Sequence, residues 1–414
     1  MIHTISSILW IITTIIIILA GLYLLFYLKF PQYKLSKKVK YNKEVDVKEH
    51  LKLLNLTLAG KIGVGSISGI ALSLVIGGKG SIFWIWTSSV LITLFTYIEV
   101  ITGNRYKEKN KFGNIGGPQV YIKTVLKNNI LSKIYSYLII IAYLLAFVLI
   151  QSNTIIISLS TFLSVDSMII MIFLLIFVVI SIKNGINGIN KVVSFLVPIM
   201  SIVYLSIGII LIIKNLEIIP NILYEIIKDS FNIKSLTAIP IIVGFERSIF
   251  SNEAGMGTTS MVVALSKSEN IELDAKIQIL GTRLITFVVT TISSLIVLTS
   301  DLDLTKISNI NGIEIVNYAF NYHFGTQGLL ILNLIISLFA FSTIITSYYY
   351  GSLNIKYLKK NKNDTLAKII VIIVITLSIY INSTTIWSFV DILTSITTLI
   401  NIYAIMRLKK AIRK

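Results

Sequence analysis

The sequence predicts an all-α polytopic membrane protein with about eleven transmembrane helices, and three observations lead to this fold class. Of the 414 residues, 55% are hydrophobic and only 14% are charged, whereas a soluble domain carries about 25% charged residues. Apolar runs of about 20 residues, the length that crosses a bilayer, recur along the chain. Two of these runs are interrupted in the middle by glycine and polar residues.

Eleven apolar runs lie between clusters of charged residues, and we interpret each one as a span. The first run is too long for a signal peptide and lacks a charged start and a small-residue cleavage site, so we interpret it as a peripheral helix. The runs are 6–28, 53–76, 81–103, 134–162, 167–182, 192–213, 235–265, 277–299, 326–351, 367–382 and 385–406.

Lysine and arginine divide unevenly between the two sides that these spans define. Of the 37 Lys and Arg residues, 29 lie on one side, five on the other and three inside spans. Because cytoplasmic loops carry the excess of these residues, the N-terminus is predicted outside and the C-terminus inside a cell membrane, expected to be a bacterial plasma membrane. The net charge of +18 is thus explained by loops beside membrane lipid, without a nucleic-acid partner.

The predicted domain organisation follows the spans, because the sequence contains no compositionally distinct soluble domain. It consists of a peripheral helix, a basic cytoplasmic linker, two five-helix repeats of opposite orientation and a basic cytoplasmic tail. These segments are 1–28, 29–52, 53–213, 235–406 and 407–414.

The two interrupted spans indicate where a small molecule binds. They carry Ala59–Gly69 and Glu246–Gly257, and they open the first and sixth of the ten helices that follow the peripheral one. Unwound backbone is tolerated at mid-membrane depth only where it faces protein or a wet cavity. Interrupted helices at matching positions of inverted halves are typical of transporter binding sites. Close packing of small residues is the alternative explanation for the glycines.

Ionisable residues inside spans are costly and are candidates for function. Glu246, Arg247 and Glu253 lie in the second interrupted span, where they either pair with one another or act in gating or cation attraction. Asp391 follows Trp387 by four residues, so both face the same way on one helix. That face predicts an aromatic lid with a charged latch, although an interfacial anchoring Trp is an alternative.

Two further ionisable residues, Glu99 and Arg283, fall near the predicted cytoplasmic ends of their helices. We expect them to form a structural pair or to extend separately towards the membrane surface.

Seven stretches of the sequence occur in the order typical of one known family. At these residues the chain resembles the sodium–alanine (amino acid carrier) symporter family, which has a leucine-transporter-type inverted-repeat fold. The resemblance implies a secondary active transporter that imports a small neutral amino acid, such as alanine or glycine, by alternating access and normally with sodium. The stretches are Leu58–Gly69, Gly77–Trp86, Gly116–Tyr121, Gln151–Asn153, Phe250–Gly257, Phe339–Gly351 and Trp387–Asp391.

The interrupted helices and this resemblance together predict where the amino acid binds. Its carboxylate should meet backbone N–H groups at the start of a half-helix, and its ammonium should meet carbonyl groups or the Gln151 amide, which alternatively forms an interhelical hydrogen bond. Trp387 would cap the pocket. The predicted substrate-binding residues are Gly63, Val64, Gly65, Gln151, Phe250, Ser251, Asn252 and Trp387.

The coupling ion is the point on which the sequence leaves two hypotheses open. Ser342 and Thr343 supply hydroxyl oxygens that suit Na⁺, whereas Lys61 and Ser66 stand where the family usually has Thr and Asn. In one hypothesis the Lys61 ammonium replaces a sodium ion, which leaves a proton-coupled or sodium-independent permease or exchanger. In the other, Lys61 pairs with a carboxylate and sodium still binds. Apart from a coupling ion, no cofactor is expected.

An intramembrane enzyme and an ion channel are the competing classes. The chain has no cysteine and three scattered histidines, His3, His50 and His323, so no nucleophile–base pair or histidine metal cluster is predicted. Channels often build pores from repeated filters or rings of charge, whereas this sequence concentrates its polar interruptions at one site. A channel is therefore the less favoured alternative.

The charge distribution generates a direct test of topology. Because the wild-type chain has no cysteine, single cysteines replacing Lys37 or Lys360 can be labelled without background. Both should react with an impermeant maleimide only when it reaches the cytoplasmic side. Labelling of either position in intact cells would contradict the predicted orientation.

Overall fold

The structure is a computed structural model. It describes residues 2–34, 45–110, 113–231, 238–267, 270–304, 312–360, 363–381 and 383–413. Residues 35–44 of the predicted linker, which include the labelling position Lys37, lie outside the described residues, as do residues 235–237 at the predicted start of the second repeat.

Helices dominate the described part of the chain, as the composition predicts. Within two of the long helical stretches, Ile141–Phe147 and Leu284–Val289 are π-helical, and a short antiparallel hairpin joins β1 (Glu108–Asn110) to β2 (Gly113–Ile115). The helices are α1 (Ile2–Tyr27), α2 (Val45–Lys61), α3 (Val64–Gly77), α4 (Gly80–Arg105), α5 (Pro118–Thr124), α6 (Asn129–Ile140), α7 (Val148–Leu163), α8 (Ser167–Ile182), α9 (Gly185–Lys214), α10 (Ile219–Ser230), α11 (Ile239–Asn252), α12 (Thr258–Val263), α13 (Ile271–Arg283), α14 (Thr290–Leu298), α15 (Gly312–Lys359), α16 (Thr365–Leu377) and α17 (Ser383–Arg413).

All eleven predicted spans coincide with helices or interrupted helices. Seven continuous helices of the described residues are long and apolar enough to cross a membrane, and the bent pair Lys48–Lys61 and Val64–Gly77 brings the number to eight. The shorter apolar helices α8 and α16, together with the second interrupted helix, account for the other three. The prediction of an all-α polytopic membrane protein is therefore confirmed.

Both predicted interruptions are present in the backbone. Between α2 and α3 the helix axis bends by 41°, across Ile62 and Gly63. The second break runs from Glu253 to Gly257, between α11 and α12. Its backbone is left-handed at Glu253 (φ 47°), Gly255 (φ 83°) and Gly257 (φ 98°). Glycine allows this conformation at low steric cost.

The two interrupted helices lie at the centre of the bundle. The helices α3 and α11 pack against each other and both contact α4, while α15 packs against α2, α3 and α7. From Val243 to Asn252 every residue of α11 is buried. In contrast, α9 has exposed residues along its whole length. Helix α1 lies at the periphery against α17 and α4. The fold thus holds the polar breaks away from the lipid-facing surface.

Candidate binding site and gate

At the first break, two predicted cation-binding hydroxyls converge on one carbonyl. The hydroxyl of Thr343 donates to the Ala59 carbonyl oxygen at 2.9 Å, and that of Ser342 lies 3.4 Å from the same oxygen. Both hydroxyls also bond to Phe339 O within α15. Ala59 precedes the break by three residues, so this group of oxygens joins the end of α2 to α15.

The N-terminus of α3 has a buried amide in front of it. Val64 N–H donates to Gln151 Oε1 at 3.3 Å, and Gln151 is 1% exposed. Gln151 therefore occupies the position at the half-helix N-terminus where a carboxylate would be favoured. Ser66 instead closes its own turn, because its hydroxyl donates to Gly63 O at 3.0 Å.

Phe250, in the last turn of α11, closes the space beside Gly65. A Cβ added to Gly65 would overlap the Phe250 ring. That ring stacks on Phe147 with centroids 5.3 Å apart and contacts Trp387 at the same centroid distance. Phe147 belongs to the π-helical segment, and Trp387 to α17. The aromatic layer predicted from Trp387 thus includes Phe147 and Phe250 and lies directly over the break.

A buried charge cluster lies on the outer face of this layer. Arg247 Nη2 contacts Glu246 Oε1 at 2.5 Å and Asp391 Oδ2 at 3.1 Å. The guanidinium carbon lies 5.1 Å from the centre of the Trp387 ring. Beyond Arg247 and Asp391 is a cavity of about 340 Å³ that also reaches His3 and Ser388. Glu246, Arg247 and Asp391, the residues of the predicted charged latch, thus lie beside an aromatic layer, between this cavity and the first break.

Glu253 is separate from that latch. It follows Asn252, where α11 ends, and has left-handed backbone (φ 47°). The charged groups that act on it are Lys61 and Glu99. Arg247 pairs with Glu246, as one alternative predicted, and also with Asp391, whereas Glu253 is not part of this ion-paired group.

Glu99 holds the second break in place. Its Oε1 accepts hydrogen bonds from the backbone N–H groups of Gly255 at 2.7 Å and Gly257 at 3.0 Å. The expectation that Glu99 pairs with Arg283 or extends to the surface is wrong. Glu99 is fully buried, and the Arg283 guanidinium lies 5.2 Å from the centre of the Tyr33 ring.

Lys61 is buried at the first break, with 3% of its surface exposed. Its ammonium has no hydrogen-bond partner among the described residues, so it does not bond to the hydroxyls of Ser342 and Thr343 or to the Ala59 carbonyl. The charges acting on it are those of Glu99 and Glu253. Lys61 therefore interacts with carboxylates. The oxygens of Ala59, Ser342 and Thr343, called the α2–α15 oxygen group below, remain available to a cation.

Two residues that support the breaks, Thr286 and Ser293, were not predicted from the sequence. The Asn252 amide donates to Thr286 Oγ1 at 2.9 Å, and the Ser293 hydroxyl donates to the Ser66 carbonyl at 2.8 Å. Next to Asn252, the buried Ser251 hydroxyl has no hydrogen-bond partner in the described part of the chain. Ser and Thr are common in membrane helices. Nothing in the sequence therefore distinguished Thr286 and Ser293 from the other hydroxyl residues of the spans.

The arrangement of two interrupted helices can be compared with known proteins. The model of the sodium:alanine symporter family matches residues 1–414. The chain belongs to this family. The family is one of membrane transporters, so the expectation that the protein is not an enzyme is confirmed.

Individual relatives cover nearly the whole chain. The sodium/alanine symporter AgcS of Methanococcus maripaludis is 27% identical over 430 residues, covering 99% of this chain and 94% of the relative. The probable sodium/glutamine symporter GlnT of Bacillus subtilis is 26% identical over 420 residues, covering 98% and 87%. The crystal structure of MhsT in complex with L-phenylalanine is similar in fold, with a TM-score of 0.64 at 12% identity over 86% of this chain and 87% of MhsT.

The Glu99 contacts lead to a prediction about stability. Replacing Glu99 with Ala removes the acceptor of two buried N–H groups, and an unsatisfied buried group costs about 1–3 kcal/mol. We expect a loss on the order of 3 kcal/mol, measured as a lower unfolding temperature in detergent. Glu99→Gln keeps an acceptor oxygen and should lose less. An unchanged unfolding temperature in Glu99→Ala would contradict the role of Glu99 in holding the break.

Proposed function

We propose that the protein is a secondary transporter that imports a small neutral amino acid together with sodium by alternating access. One observation supports this above the others. The N-terminal end of α3 and the C-terminal end of α11 meet in the buried interior, where Gly65 faces Phe250. Helix N-termini favour negative charge and helix C-termini favour positive charge. The two ends therefore offer complementary partners to the carboxylate and the ammonium of one zwitterion.

The residues around this meeting point assign each end of the substrate. The carboxylate would take the N–H groups at Gly63, Val64 and Gly65, displacing the Gln151 oxygen from Val64. The ammonium would take carbonyl groups of Phe250, Ser251 and Asn252, or the released Gln151 oxygen.

Close packing against Gly65 favours a small side chain on the substrate, as in alanine or glycine. The relatives AgcS and GlnT are named for alanine and glutamine, which agrees with a neutral amino acid as substrate.

Sodium would bind where the Ala59 carbonyl meets the hydroxyls of Ser342 and Thr343. All three oxygens are buried, and hydroxyl and carbonyl oxygens are suitable ligands for a small hard cation. Because two helices contribute these oxygens, a bound ion would hold α2 against α15 and thereby set the geometry of the first break.

The alternative is a sodium-independent exchanger in which Lys61 replaces the ion. The contacts of Lys61 favour sodium, because its ammonium bonds to none of the oxygens of this group in the described structure.

We infer that the latch residues form the gate on one side of the membrane. In the predicted orientation, with the N-terminus outside, the cavity beside His3 faces outwards, and Arg247 and Asp391 close it towards the break. Access from outside would then require α11 and α17 to separate. Burial of this charge pair makes its separation costly unless water enters.

The packing of Gly65 gives a test of the substrate site. In Gly65→Leu the new side chain would take the space between α3 and Phe250, so substrate affinity should fall by more than about 100-fold, or about 3 kcal/mol. Binding of labelled alanine to purified protein measures this. Gly69→Ala is the matched control, because a Cβ there lies 3.5 Å from the Trp387 ring, an ordinary contact. Unchanged affinity in Gly65→Leu would refute the site.

The α2–α15 oxygen group gives a test of ion coupling. Thr343→Val keeps the shape of the side chain but removes one proposed ligand, which is worth about 1.5–3 kcal/mol for a charged partner. The sodium concentration for half-maximal uptake should rise at least about tenfold. Thr346→Val is the control, since its hydroxyl bonds to Ser342 O within α15. If uptake by the wild type does not depend on the sodium concentration, the exchanger with Lys61 as the substitute cation is favoured.

A further inference from the structure

Three buried ionisable residues beside the breaks have no role in the function proposed above. Lys61 ends α2, Glu99 lies on α4 and Glu253 begins the second break. Their exposed fractions are 3%, 0% and 1%. The cluster therefore joins both interrupted helices to α4 in the interior of the bundle.

The two carboxylates differ in how they are stabilised. Glu99 Oε1 accepts two backbone hydrogen bonds, whereas the Glu253 oxygens accept no backbone hydrogen bond among the described residues and interact with the hydroxyls of Thr258 and Tyr143. A Cβ built on Gly60 would lie 3.3 Å from Glu253 Oε2 and 3.2 Å from the Tyr350 hydroxyl. The Glu253 carboxylate and this hydroxyl thus lie together against α2.

The charges of the cluster do not balance. Lys61 is the positively charged side chain that acts most strongly on both carboxylates, so one ammonium group faces two carboxylates. Uncharged phenol groups from the surrounding elements complete the environment. They are Tyr121, Tyr135, Tyr143 and Tyr350. A buried carboxylate with so few hydrogen bonds is costly in its charged form, and taking up a proton removes that cost.

We propose that Glu253 is a proton-binding site, which takes up a proton from one side of the membrane and releases it to the other. The proton adds to a carboxylate oxygen of Glu253, and the resulting neutral carboxyl group can donate to the hydroxyl oxygen of Tyr143 or Thr258, the two side chains that interact with it. On release the proton passes to water and the carboxylate returns. No bond between heavy atoms is formed or broken.

A proton suits this position better than a second sodium ion. A sodium ion needs several oxygen ligands at once, whereas a proton needs only one carboxylate oxygen and one acceptor. The Lys61 ammonium, when charged, compensates the charge of one carboxylate only. Because both breaks contribute to the cluster, rearrangement of either break would change access to Glu253. The inference about transport of this proton rests on the proposed function, whereas proton binding itself does not.

Infrared difference spectroscopy tests proton binding directly. The full chain in lipid nanodiscs should show the carbonyl stretch of a buried protonated carboxyl group as the pH is lowered. The Glu253 component of this band should be lost in Glu253→Gln and retained in Glu217→Gln, a control at an exposed carboxylate, while other buried carboxyl groups such as Glu246 and Asp391 give components that remain in both variants. An unchanged band in a folded Glu253→Gln protein would overturn the proposal, as would the absence of any such band in wild type.

Two further variants keep the test decisive if Glu253→Gln does not fold. Glu253→Asp retains a carboxylate and should retain the band. Lys61→Gln removes the only nearby positive charge, so the proton should bind more tightly and the band should persist to higher pH. A shift of the band to lower pH in Lys61→Gln would contradict the assignment to this cluster.

Transport in proteoliposomes tests whether the proton moves. Wild-type alanine uptake should be accompanied by proton entry, reported by a trapped pH-sensitive dye, and Glu253→Gln should lose this proton movement. Alanine uptake without protons in wild type, or loss of sodium dependence instead of proton movement in Glu253→Gln, would overturn the inference. If wild type transports no amino acid although the infrared band behaves as expected, the proposed function fails and the proton site stands.

Discussion

Two helices lose their regular hydrogen bonds in the buried interior, and the backbone groups freed there must find partners inside the protein, because lipid offers none. At the second break the Glu99 carboxylate meets this need by accepting from Gly255 and Gly257. At the first break the Gln151 amide accepts from Val64, and the Thr343 hydroxyl donates to the Ala59 carbonyl. The polar residues of an otherwise apolar bundle are concentrated where the backbone requires them.

The same hydrogen bonds mark the positions of the proposed ligands. Gln151 accepts from the N-terminus of α3, and the Thr343 hydroxyl donates to the Ala59 carbonyl. In the proposed function the substrate carboxylate replaces the first hydrogen bond and the sodium ion replaces the second. Above this region the aromatic layer and the buried Arg247–Asp391 pair separate it from the cavity beside His3. Family membership and the similarity to MhsT place this arrangement in a known transporter fold.

Spans and breaks could be predicted from sequence because both are local properties. Hydropathy reports the spans, and Gly with polar neighbours reports the interruptions. Partners across the bundle could not be predicted in this way. Glu99 meets Gly255 across 156 positions of the chain, and its position near a predicted helix end suggested an exposed role instead. Similarly, Glu253 lies only six residues after Arg247, yet Arg247 pairs with Glu246 and Asp391, whereas Glu253 interacts with Lys61 and Glu99. Helix α11 ends in left-handed backbone at Glu253 (φ 47°), a conformation that the sequence does not report for a glutamate.

In the proposed mechanism the ends of α3 and α11 together bind a zwitterion, and Gln151 moves away to admit the carboxylate. A structure of the protein determined in lipid nanodiscs with sodium and alanine tests this binding mode directly. We expect density for alanine between Gly65 and Phe250, with its carboxylate at the Val64 N–H and the Gln151 oxygen displaced from the present 3.3 Å contact. Density for alanine elsewhere, with the Val64–Gln151 hydrogen bond intact, would contradict it.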